Sequence, residues 1–79
     1  MTIEIIAPDK EIFKGDASQI QLPGVDGLFA ILNLHAPLIA LLKQGKIKIT
    51  GENEQITQID IMGGVVEVKN NKVLVLADM

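Results

Sequence analysis

At 79 residues, with 48% apolar side chains, no cysteine and a net charge of −3, the chain is sized for one small domain without a disulfide or thiolate metal site to staple it. Such a domain hides only ~60% of the surface that its unfolded form exposes, so its core must do the stabilising, and some apolar surface is left for a partner. All seven basic residues are lysines, and Phe13 and Phe29 are the only aromatics. That composition disfavours nucleic acid, whose readout leans on arginine and on stacking platforms.

Period-two alternation dominates from the start. Thr2-Ile3-Glu4-Ile5 reads as a half-buried strand, Pro8-Asp9-Lys10 as a turn, and Glu11-Ile12-Phe13-Lys14 as a second extended segment ending at Gly15-Asp16. Ser18 to Leu22 alternates again and places Ile20 and Leu22 on one face. Pro23-Gly24-Val25-Asp26-Gly27 is a cluster of turn formers in which both glycines can take positive φ. Leu28-Phe29-Ala30-Ile31-Leu32 follows as a short apolar strand, expected to be buried on both faces.

Asn33 to Leu42 is the least strand-like stretch. Leu38, Leu41 and Leu42 suit one helical face, but Pro37 interrupts it, so an irregular loop with one helical turn is expected. Its apolar run Ala36–Leu42 is the longest in the chain and far short of the ~20 residues of a membrane-spanning helix. Gln44-Gly45 is expected to turn the chain into the alternating Lys46–Thr50, and Gly51-Glu52-Asn53 into a strand over about 55–62 carrying Ile59 and Ile61 on one face. Gly63-Gly64 marks a bulge, or a corner where a strand passes from one sheet to another. Val65–Lys69 and Lys72–Leu76 flank Asn70-Asn71, a two-residue linker suited to a type I′ hairpin. Val73-Leu74-Val75-Leu76 is apolar on both sides, as for a strand covered twice or facing a partner. Together these segments predict an all-β fold, a flattened antiparallel β-sandwich of about eight to ten short strands, with residues 1–79 as one domain.

Catalytic chemistry finds few candidates. Ser18 is the only serine and lies in an alternating strand; His35 is the only histidine and suits a loop-fixing hydrogen bond or an interface. No calcium loop, phosphate-binding glycine loop or aspartic-protease signature is present, so neither a cofactor nor a metal is expected. What core packing explains least are the apolar Ala36–Leu42 segment and the turn at Gly24–Gly27. Both are irregular segments of the kind that carry binding.

Several stretches, in order, resemble one family. These are Ile3-Glu4-Ile5-Ile6-Ala7-Pro8-Asp9-Lys10 with Phe13 and Gly15; Leu22-Pro23-Gly24-Val25-Asp26-Gly27-Leu28-Phe29-Ala30-Ile31-Leu32; the tetrapeptide His35-Ala36-Pro37-Leu38; Gly63–Val68; and Asn71–Asp78. They are similar to the ε subunit of the rotary F-type ATP synthase, called δ in the mitochondrial enzyme, and cover the whole chain. The resemblance implies a flattened β-sandwich in the central stalk. Such a subunit binds γ and the polar loops of the c-ring, and couples ion-driven rotation to ATP synthesis or hydrolysis without catalysing either. It implies a peripheral place on the cytoplasmic face of a bacterial inner membrane, with no direct membrane insertion.

By position, Asp26, Gly27 and Leu28 are expected to face the c-ring, and His35, Ala36, Pro37, Leu38, Leu41 and Leu42 to face γ. Three positions depart from the pattern: Leu28 stands where a carboxylate is frequent, Ala30 for a glycine, and Asn33 for a proline. Many relatives continue into a C-terminal helical hairpin that can inhibit the catalytic head. This chain stops at Met79, so a coupling subunit that does not inhibit by that route is expected. Two other readings are a β-sandwich adaptor unrelated to the rotary machine and a biotinyl or lipoyl carrier. The carrier needs a modifiable lysine in a specific hairpin context, which neither Lys46 nor Lys72 has.

Overall fold

The computed structural model describes residues 1–79 and contains seven strands and no helix. They are β1 (Thr2–Ala7), β2 (Lys10–Asp16), β3 (Gln19–Gly24), β4 (Gly27–Leu32), β5 (Leu38–Thr50), β6 (Ile56–Lys69) and β7 (Lys72–Asp78). They form one sheet in the order β2-β1-β7-β6-β5-β3-β4. Every neighbouring pair is antiparallel except β1 and β7, which run parallel from Thr2↔Lys72 to Ile6↔Leu76. The two long strands, β5 and β6, belong to both halves of the sheet: β7 joins β6 only from Gly63 onward, and β3 joins β5 mainly at Lys48–Thr50. The halves enclose one apolar cluster that includes Ile3, Ile5, Ile20, Leu22, Ile31, Ile47, Ile49, Val66, Val73 and Val75. No polar or charged residue is buried.

Strands are fewer than expected because the runs at about 55–62 and 65–69 are one strand, β6, while Lys46–Thr50 is the second half of a longer one, β5. Leu38–Leu42 is strand, not irregular loop or helical turn. Each of its residues pairs with β6, from Leu38↔Val68 to Leu42↔Gly64, and this continuous ladder overrides the local helical spacing. Pro37, which lacks an N–H, stands just outside it. Gln44-Gly45 does not turn the chain either. Gly45 remains in β5, where a Cβ would lie 2.8 Å from that of Pro23.

Gly63-Gly64 is the corner and not a bulge. Lys43↔Gly63 and Gly45↔Ile61 stay on one unshifted ladder. Gly64 takes φ 152°, and a side chain there would run into the Leu76 carbonyl. The register irregularities lie elsewhere, between Ile5 and Ile6 opposite β2 and between Gln21 and Gly24 opposite β5. The second brackets Pro23, which has no N–H to give the ladder.

Two local expectations fare differently. Asn70 and Asn71 take φ of 54° and 59° and join β6 to β7, as a two-residue hairpin of that type requires. Strand β4, by contrast, is covered on one face only: Ile31 is fully buried, while Leu28, Ala30 and Leu32 are exposed. It lies at the end of the sheet, and no layer covers its outer side.

Candidate functional site

The tip of the β3–β4 hairpin and the start of β5 meet in a cleft of 430 Å³, lined by Gly24, Val25, Asp26, Gly27 and Phe29 on one side and Leu38, Ile39, Ala40 and Leu41 on the other. Backbone bonding draws them together: Val25 N–H donates to Leu41 C=O at 3.0 Å, and Gly24 pairs with Leu42. The two glycines of the turn serve different needs. Gly27 takes φ 129° with open space around it, whereas Gly24 lies where neighbouring backbone and ring atoms leave no room for a side chain. A Cβ on Gly24 would lie 2.7 Å from the Gly27 carbonyl oxygen and 2.8 Å from the Phe29 ring.

The nine residues expected to form contacts are therefore placed unequally. Asp26, Gly27 and Leu28 are exposed at the hairpin end, with Leu28 at 66%. Leu41 is exposed beside them, Leu38 is half-buried against the core, and Leu42 points into the core at 5% exposure. His35, Ala36 and Pro37 lie exposed outside this cleft. The His35 ring Nδ1–H donates to the carbonyl of Ala36 at 2.7 Å, a bond that shapes its own loop.

Cross-strand register reveals a larger surface. On the outer side of the sheet Leu41 lies opposite Val65, Val65 opposite Leu76, and Leu76 opposite Ile6. This makes one apolar row across β5, β6, β7 and β1. Ile39, 72% exposed, stands two residues from Leu41 on the same side. Glu67 and Glu4 flank the row along β6 and β1, since Ile39 pairs with Glu67, Glu67 with Leu74, and Leu74 with Glu4. Sequence reasoning named Ile39 only within the apolar Ala36–Leu42 run and missed Val65 and Ile6, whose place in the row follows from pairing with β5 and β7.

A further residue it missed is Leu34, 83% exposed with φ 64°. Left-handed backbone is unfavourable for a leucine, and so is exposing its side chain. The surroundings impose both. Leu34 N–H donates to Asn71 Oδ1 at 2.8 Å, and the amino terminus donates to Asn33 Oδ1 at 2.6 Å. The asparagine found in place of a common proline thus ties the loop to the start of β1.

The arrangement offers contact surface: no group of three or more His, Cys, Asp or Glu side chains converges anywhere. The comparison with known proteins decides whose surface it is. The family model for the delta/epsilon chain of ATP synthase, β-sandwich domain, matches residues 1–79. The chain belongs to this family.

ATP synthase epsilon chains from Chlorobium limicola and Chlorobaculum tepidum are each 38% identical to it, over 96% and 98% of this chain and 86% and 88% of their own length. Another, from Leptospira borgpetersenii, is also 38% identical, but this chain spans only 61% of it. Among solved structures, a chain of the Euglena gracilis mitochondrial ATP synthase (OSCP/F1/c-ring) superposes with a TM-score of 0.91 at 20% identity, covering 98% of this chain and 49% of that one. A chain of the central stalk and c-ring of the Tetrahymena thermophila mitochondrial enzyme gives 0.81 at 23%, covering 99% and 63%. At those identities the likeness is one of fold. The epsilon relatives are subunits of a membrane-associated complex, and no helix here is long and apolar enough to cross a membrane.

Proposed function

We propose that this chain is a non-catalytic coupling subunit of the central stalk of an F-type ATP synthase, gripping γ with its apolar outer row and the c-ring loops with its hairpin turn. The observation that carries the reading is the unbroken row Leu41–Val65–Leu76–Ile6, which lies outside the core on a fold with no buried polar group. A small domain that leaves so coherent a strip uncovered gains by burying it against a partner. Asp26 and Gly27 stand beside Leu41 at the same end, so one rigid sheet can hold both partners and pass torque between them. Leu28, in place of a frequent carboxylate, makes the c-ring contact depend on Asp26 and on backbone groups. The subunit would sit peripherally on the cytoplasmic side of the membrane, through its partners alone.

Calorimetric titration against the cognate γ subunit tests this. Tight binding with a negative heat-capacity change is expected, and Leu41→Asp, which leaves the core intact, is expected to weaken it by about 2–4 kcal/mol. Binding unaffected by Leu41→Asp and Leu76→Asp would move the interface to another face. No binding by a folded chain would leave an adaptor for another partner as the better account.

A further inference from the structure

The two ends of the sheet are unlike. At one end, β2 carries Lys10, Glu11, Lys14 and Asp16, and its ladder with β1 is broken by an irregularity. Charges and irregular pairing are the devices by which a sheet edge refuses another strand. At the other end, β4 reads Gly-Leu-Phe-Ala-Ile-Leu, with no charge and no proline. No strand but β3 lies beside it.

Register shows what that edge presents. Gly24 and Gly27 close a two-residue hairpin as a hydrogen-bonded pair, so Leu22↔Phe29 and Ile20↔Ile31 are bonded pairs too. The N–H and C=O groups of Leu28, Ala30 and Leu32 therefore point away from β3. Apart from the ladder, the one backbone bond at β4 is His35 N–H to Leu32 C=O at 3.2 Å. The same three residues turn their side chains to the uncovered face, where Leu28 is 66% and Leu32 57% exposed. Open backbone groups and apolar side chains thus alternate in step along one unprotected edge.

We propose that β4 pairs with β4 of a second copy of this chain, antiparallel about a two-fold axis at Ala30, when the subunit is free. The strand is complementary to itself in that register. Ala30 meets Ala30 across the axis and Leu28 of each copy meets Leu32 of the other; Leu28 and Ala30 offer both backbone groups and Leu32 its N–H, its C=O being engaged by His35. Self-complementarity decides for a second copy: a two-fold axis at Ala30 sets each residue of β4 against the one equally far from Ala30 on the other copy, and none of them carries a charge that repels. The net charge of −3 is contributed by other strands and loops. Contact limited to one short strand buries less than a standard interface, so the pairing is concentration-dependent. This inference stands apart from the stalk reading, since it concerns the free chain.

The chain has no cysteine, so a single Ala30→Cys reports cleanly. Bonded antiparallel residues have Cα atoms ~5.5 Å apart, within disulfide reach. Ala30→Cys is expected to give a covalent dimer on mild oxidation of the purified chain, while Glu11→Cys on the opposite edge stays monomeric. In sedimentation equilibrium the unaltered chain should rise from 8.5 kDa toward twice that mass with concentration. Leu28→Lys and Leu32→Lys, both at exposed sites, should hold it at the monomer mass while circular dichroism confirms the fold. A monomer at every concentration, with Ala30→Cys dimerising no faster than Glu11→Cys, overturns the proposal. So does a dimer indifferent to both lysine variants, which would place the contact elsewhere.

Discussion

Leu34 combines two local penalties that the isolated fold does not need: a left-handed backbone and an exposed isobutyl group. Asparagine tolerates that φ far better. Leu34→Asn is therefore expected to stabilise the free chain by up to ~1 kcal/mol in urea unfolding. If the loop from Asn33 to Pro37 contributes to docking, the same change should weaken γ binding, the usual conflict between stability and a functional site. Gly24 is the opposite case, a residue dictated by space. Gly24→Ala sets a methyl against the Gly27 carbonyl and the Phe29 ring, at an expected cost of about 1–3 kcal/mol. An unchanged urea midpoint would mean that the hairpin tip yields freely, and a yielding tip could not transmit force.

Among the elements, the β6–β7 hairpin holds more than its own strands. Asn71 supplies a positive φ to the turn and accepts the Leu34 N–H, fastening the loop that leads into β5. The two roles separate experimentally. Asn71→Gly keeps the φ and loses the bond, at an expected ~1 kcal/mol; Asn71→Ala also carries a left-handed Cβ and should lose about 1–2 kcal/mol more. Equal destabilisation by both would show that backbone conformation contributes nothing there. This turn was legible in the sequence because it depends on two adjacent residues. So were the strands in which one face is polar, such as Thr2–Ala7 and Lys46–Thr50. The segment 38–42 was not, because its strand state comes from pairing with residues 64–68, and its spacing of leucines fits a helix equally well. Exposure of Leu28 and Leu32 was hidden for a related reason: local patterning cannot tell an edge strand from one covered on both sides. The motifs placed Asp26-Gly27 and Leu38–Leu41 separately, and only the β3–β5 register brings them to one cleft. Leu42 differs from Leu41 by a single step of the strand, yet that step moves it from surface to core.

For the molecule as a whole, the parallel pairing of β1 with β7 joins the first strand to the last, with partners 70 positions apart in Thr2↔Lys72. The long strands carry the fold in both halves, and their inward residues form one cluster. No separate core remains to hold one half if the other opens, so a single cooperative unfolding transition is expected. Such non-local pairing also predicts folding in milliseconds to seconds, since distant segments must meet before most contacts form. Native-state hydrogen exchange should resolve this into a map. Ladder amides of β1, β7 and β3, of β6 from Gly63 onward and of β5 at Lys48–Thr50 are flanked by strands on both sides, so they should exchange only through global unfolding. The outward amides of β2 and β4 should exchange through local fluctuation. Val75→Ala, at the centre of the cluster, should lower the protection of all five inner strands by the same amount, about 1–2 kcal/mol. Unequal loss between β1–β7 and β3–β5 would reveal two foldons. The sheet would then flex at Gly45 and Gly64, between the hairpin tip and the far ladder, and a body that flexes there would stretch under load before passing torque on.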